Sequence, residues 1–271
     1  MESLGTRSRK ATEADRRHSL DAMLAYICEV DHNEAPVSYC AEQELKLPQA
    51  PFGNYNVSKT KADGVIYLDV AKFRPYVTHS DMAIAATAFC EEGPGEVLQI
   101  VHCVAKFERE EDGSHQAMMA MVSGLYQRRV LQMPGQFVFG VFHFRRIHFR
   151  VVAGVWQGDT IQLYEIGQYS IIIPMQAIQL YLVLRGIHRL GTSYLDELQW
   201  STLDLASRIM AHPPPSVWLP VRVGSIQENL NEPHQGGGNT QQETPEQRHA
   251  RRKVASYLQS ISFEHLYHRT A

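Results

Sequence analysis

A chain of 271 residues that is 44% hydrophobic can bury one full core, and it is too short for a string of large domains. Its 26 Lys and Arg against 29 Asp and Glu leave a net charge of −3, which excludes duplex binding through a globally basic surface. The four cysteines (Cys28, Cys40, Cys90, Cys103) lack C-x-x-C spacing, which excludes a zinc ribbon, and no apolar run approaches the roughly 20 residues that cross a bilayer. With no hydrophobic signal segment at the amino terminus, the expected setting is intracellular, cytoplasmic or nuclear, and without a membrane partner.

In chain order, residues 1–12 are polar and expected to be disordered. Leu20, Met23, Leu24, Ile27 and Cys28 then follow helical spacing, predicting a helix over 13–30. Residues 31–60 hold Pro36, Pro48, Pro51 and Gly53 and read as irregular connection with room for a short strand. Lys61-Ala62-Asp63-Gly64 leads into a short strand over Val65 to Leu68. Between Gly93-Pro94-Gly95 and Glu110-Glu111-Asp112-Gly113 lies the run Val97 to Phe107, a single buried strand.

Met118, Met121 and Leu125 recur at helical spacing and predict a helix from Ser114 to Leu131. Three strands follow, at Gln136 to Phe144, Ile147 to Trp156 and Thr160 to Ile166, with Gln157-Gly158-Asp159 as a hairpin turn. Pro174 opens a helix whose apolar face is Ala177, Leu180, Tyr181 and Leu184, and a further helix is expected over Leu195 to Met210. Residues 225–247 are rich in Gln, Asn, Gly and Pro and read as a disordered linker. Val254, Tyr257, Leu258 and Ile261 then make an amphipathic helix of residues 248–271. The expected fold over 13–224 is therefore α/β, a central mixed β-sheet flanked by helices.

The chemistry concentrates on the strand ending in Lys106. Period-two alternation puts His102, Val104, Lys106 and Glu108 on one face. An Asp on one strand and a Lys on the next is the arrangement of a restriction-endonuclease-like core. There a second carboxylate two residues before the Lys completes a Mg²⁺ site, and the Lys positions the attacking water. The position two before Lys106 is Val104, which cannot ligate a hard cation.

Lys61-Ala62-Asp63-Gly64, the run Val101 to Phe107, and Gln136-Phe137-Val138-Phe139-Gly140-Val141 together resemble the amino-terminal region of the fungal-type protein kinase family. The resemblance covers about residues 60 to 190 and implies a degenerate PD-(D/E)XK nuclease-like domain. Ala62 stands where the family usually has Pro, and Val104 where it has an acid. The chain has no His-Arg-Asp loop and no Asp-Phe-Gly, so kinase activity is not expected.

Three readings stay open: one is an unrelated α/β or α+β domain, and two carry a function. In one, the domain is a catalytically impaired module that binds a protein partner or nucleic acid and needs no cofactor. In the other it is a Mg²⁺-dependent nuclease with Asp63, Lys106 and Glu108 as catalytic residues. Asp63 and Glu108 would then hold the metal, or Glu91, Glu92 or Glu96 would reach in. Arg128, Arg129, Arg145, Arg146 and Arg150 are the candidate nucleic-acid-binding residues, and Tyr126 and Gln127 are loose candidates beside a scissile phosphate. Each has a plainer role as well: Asp63 in a turn, Lys106 at the surface beside Glu108, His102 and Tyr126 in the core, the arginines solvated.

Overall fold

The structure, a computed structural model, describes residues 13–30, 37–48, 58–71, 86–90, 97–107, 113–144, 148–200, 207 and 211. The expected N-terminal tail, the linker 225–247, the helix 248–271 and Glu91, Glu92, Glu96, Glu108, Arg145 and Arg146 lie outside the described residues. The elements run α1 (Glu13–Val30), β1 (Val37–Lys46), β2 (Lys59–Ala71), β3 (Val97–Lys106), α2 (Ser114–Val130), β4 (Val138–Phe144), β5 (His148–Gln157), β6 (Thr160–Ser170) and α3 (Pro174–Trp200).

The six strands form one mixed sheet in chain order. Every neighbouring pair is antiparallel except β3 and β4, which are parallel. The single parallel step coincides with the single helical crossover, because a parallel neighbour cannot be reached by a tight turn.

Side chains alternate between two apolar layers, as period two demands. Phe139, Val141, Phe149, Val151 and Ala153 join one layer with Leu20, Leu24 and Ile27 of α1 and Leu180, Leu184 and Ile187 of α3. Val138, Phe142, Val152 and Trp156 join the other with Ala117, Ala120, Met121 and Leu125 of α2. Small residues let α2 lie close on the sheet: a Cβ at Gly140 would sit 2.5 Å from the Met121 sulfur.

Three expectations are corrected. The strand carrying Asp63 is thirteen residues long, so Asp63 lies inside it and not at its start. Its polar first half was illegible by hydrophobic pattern because it is held by cross-strand ion pairs, Lys59 to Glu44 at 2.7 Å and Lys61 to Glu42 at 3.2 Å. The stretch 31–60 supplies the ten-residue β1, whose outer edge is met by Lys46 N–H donating to Ala88 O and Cys90 N–H donating to Glu44 O. Leu195 begins no separate helix; α3 runs unbroken from Pro174 to Trp200, with no proline in between to stop it.

Candidate functional site

The register of β2 against β3 pairs Gly64 with Ala105, which sets Asp63 beside Lys106. The ammonium Nζ lies 3.2 Å from Asp63 Oδ1, and the Phe107 N–H donates to Oδ2 at 2.7 Å. Both side chains are nearly buried, at 11% and 10% exposure, so this is not a solvated surface pair. Each oxygen of Asp63 thus already accepts one donor. A cation entering here would compete with the ammonium for the lone pairs that remain.

A further ionic layer comes from α1. Arg17 donates from Nη2 to the Asp63 carbonyl oxygen at 2.9 Å, and pairs with Asp21 at 2.6 Å and Glu42 at 3.0 Å. Tyr39 O–H donates to Asp21 at 2.6 Å, and its ring lies over Gly64, where a Cβ would come within 2.6 Å of the hydroxyl. Burial first, and then the hydrogen bond to Asp21, push the Tyr39 phenol well above its usual range. Glu42 takes a positive φ of 55° in mid-strand, uncommon for a residue with a Cβ, and the Lys61 and Arg17 cations hold its carboxyl below the ordinary value. Sequence reasoning missed Arg17, Tyr39 and Glu42. Nothing in a helical arginine marks it as reaching the backbone of an aspartate 46 residues away, and nothing in a strand glutamate marks it as the partner of that arginine.

The expected common face of β3 is broken by a bulge. Ile66 pairs with Cys103 and Tyr67 with Val101, so His102 is left without a cross-strand partner. On one side of it Leu98 and Ile100 join the α1–α3 layer; past it Cys103, Ala105 and Phe107 do so, while Val104 joins the α2 layer. His102 therefore points away from Val104. Its Nε2 lies 2.8 Å from the Ile187 carbonyl oxygen, and its ring packs edge-on to Phe139 and Tyr194. Gly191 makes room, since a Cβ there would approach His102 Cδ2 to 2.9 Å. Val104 and Lys106 lie beyond the bulge and keep their common face. Val104 is 0% exposed and embedded in hydrocarbon.

Gln127 of α2 ties down the lower part of the same strand. Its Oε1 accepts the Val101 N–H at 2.9 Å, and its Nε2 donates to Ala86 O at 2.8 Å and Gln99 O at 2.6 Å. It is wholly buried, which corrects its placement beside a phosphate. Tyr126 packs edge-on against Trp156 at 5.1 Å.

The described arginines of the expected basic patch fall in different surroundings. Arg128 is fully buried, and Nε, Nη1 and Nη2 all lack a hydrogen-bond partner among the described residues. Burial drives its pKa down to about 9. Arg129, the next residue, points outward over the Trp156 ring at 4.5 Å and pairs with Asp159 at 2.7 Å. Arg150, on β5, is buried beneath the Phe144 ring, with Glu165 3.5 Å from its Nε. These three arginines do not share a surface.

Among the described residues no group of three or more His, Cys, Asp and Glu side chains is placed to hold a metal ion, and no helix is long and apolar enough to cross a membrane. Burial raises both Cys28, to about 12, and Cys103, which leaves neither as a ready nucleophile. No family model, curated protein or solved structure matches this chain.

Proposed function

We propose that this chain is a catalytically impaired, nuclease-like module with a restriction-endonuclease-like core, related to the amino-terminal region of the fungal-type protein kinase family and acting by binding a protein or nucleic-acid partner. The observation that carries it is the pairing of Asp63 with Lys106 on adjacent strands beside a wholly buried Val104. An aspartate and a lysine meet where a nuclease of this layout has them, while the position of the second carboxylate is hydrocarbon. The element order also supports the reading: a helix, three antiparallel strands, a crossover helix and a parallel fourth strand.

Without an oxygen donor at position 104, the cation site is half-built among the described residues. The lysine, which would orient water beside a metal, neutralises the aspartate instead. What remains is a rigid scaffold whose work is contact. The alternative, a Mg²⁺-dependent nuclease with a displaced glutamate, draws on the same Asp63–Lys106 contact and needs a second carboxylate from outside the described residues.

A Mg²⁺ titration of thermal stability separates the two. A metal that binds only the folded form raises Tm with concentration. The impaired module shows no such rise in the wild type and no cleavage of single- or double-stranded DNA or RNA. A Mg²⁺-dependent rise that disappears in Asp63→Ala, together with cleavage, overturns it in favour of the enzyme.

A further inference from the structure

From Ile166 to Leu184 the sequence has no charged residue. This stretch takes in the end of the open edge strand β6, a short turn and the first three turns of α3. On α3 the inward positions are Leu180, Leu184 and Ile187, but the outward ones are apolar too. Met175, Ile178 and Leu182 recur three and four residues apart, so they form a stripe along one flank. With Ile172 and Ile173 of the turn they are 44% to 66% exposed.

Isolated exposed leucines need no explanation, whereas a contiguous charge-free patch does. Taking about 200 Å² for a fully exposed side chain of this size, the exposed part of these five residues comes to roughly 570 Å². The smaller stable interfaces bury about 600 Å² on each partner, so the patch is close to one side of such an interface.

We propose that this surface is the contact between two copies of the chain, which pair antiparallel along the first half of α3 about a two-fold axis near Ile178. Three features favour a second copy over a different partner. The patch has no charge to select a complementary surface and none to repel itself. Its residues are distributed about Ile178, three positions back to Met175 and four on to Leu182, so the stripe meets its own copy with Met175 against Leu182 of the other. Beyond it Arg185 lies at the rim, level with the other copy's Ile172, where a long side chain can lay its stem on apolar surface and keep its charge in water.

Sedimentation velocity or light scattering on the full chain at micromolar concentration gives the first test, with a mass of two chains expected. Ile178→Glu places two carboxylates against each other at the axis and should yield folded monomers, whose Tm no longer rises with protein concentration as that of the wild-type dimer does. Met175→Lys and Leu182→Glu should each be monomeric alone, and an equimolar mixture should recover the two-chain mass through Lys against Glu. A monomeric wild type, or a dimer that survives Ile178→Glu, overturns the proposal; a monomer would leave the patch to another part of the chain or to a different protein. Failure of the mixture to reassociate overturns the antiparallel pairing.

Discussion

Strand β3 passes two buried cationic groups, and they differ in one respect. At its end Lys106 has a carboxylate at 3.2 Å. By its middle, near His102, the guanidinium of Arg128 has no hydrogen-bond acceptor among the described residues, and His102 has an unpartnered Nδ1 there too. A carbonyl can only accept, so His102 Nε2 carries the proton in its contact with Ile187, and Nδ1 is left as a bare acceptor. The first group is a charge offset by its opposite. The second is held in place by the apolar packing around it, which outweighs the cost of desolvation. The acid–amine pair that the sequence suggests is the first, but the unpaired buried charge of the fold is the second.

The largest expected effect breaks the paired end. Lys106→Met keeps the stem and removes the ammonium, leaving Asp63 buried with only the Phe107 N–H, and should cost about 3 kcal/mol in urea unfolding. A loss below about 1 kcal/mol would mean the pair is solvated and the two ends of the strand are alike.

The opposite sign is expected at the unpaired end. Arg128→Met removes a buried charge without orphaning any partner, so stability should rise by about 2 kcal/mol. A substantial loss would show that the guanidinium has an acceptor in solution.

The pH dependence sharpens the same contrast. Burial, then the Arg128 charge, hold His102 down to about 3 in the folded chain, whereas the unfolded chain takes up the proton below about 6.5. Protons therefore favour the unfolded form as pH falls through that window, and stability contributed by neutral His102 is lost there. The slope is about 1.4 kcal/mol per pH unit, and His102 gives no dependence above 6.5. Unfolding free energies of the wild type and His102→Gln between pH 6.5 and 5 check this: the slope should be smaller in the variant by about 1 kcal/mol per pH unit. The smallest effect belongs to Arg129, the exposed neighbour of Arg128. Arg129→Ala loses one surface pair and one ring contact, and should cost under about 1 kcal/mol, less at high salt.

Much of the architecture was legible. The helices over 13–30 and 114–130 and the meander from 138 onward follow from apolar spacing and turn residues alone, because each buries a stripe or a face whose period is local. The Asp63–Lys106 contact followed from setting the segment that carries Asp63 beside the apolar strand that ends in Lys106. The first half of β2 was not: its alternation is between lysines and their partners on another strand, a pattern invisible until the strands are side by side. The bulge at His102 escaped for a similar reason, since one extra residue reverses every later side chain and only the partner strand defines what is extra.

What the amino-acid order determined by itself was periodicity, and with it the elements, the buried faces and the absence of an acid at position 104. Tertiary structure alone decided which charges became partners. Arg128 and Arg129 are adjacent and chemically identical, yet one is sealed in the core and the other lies over Trp156 in water. The difference is about 100° of rotation per residue around a helix, set against the sheet on one side and solvent on the other.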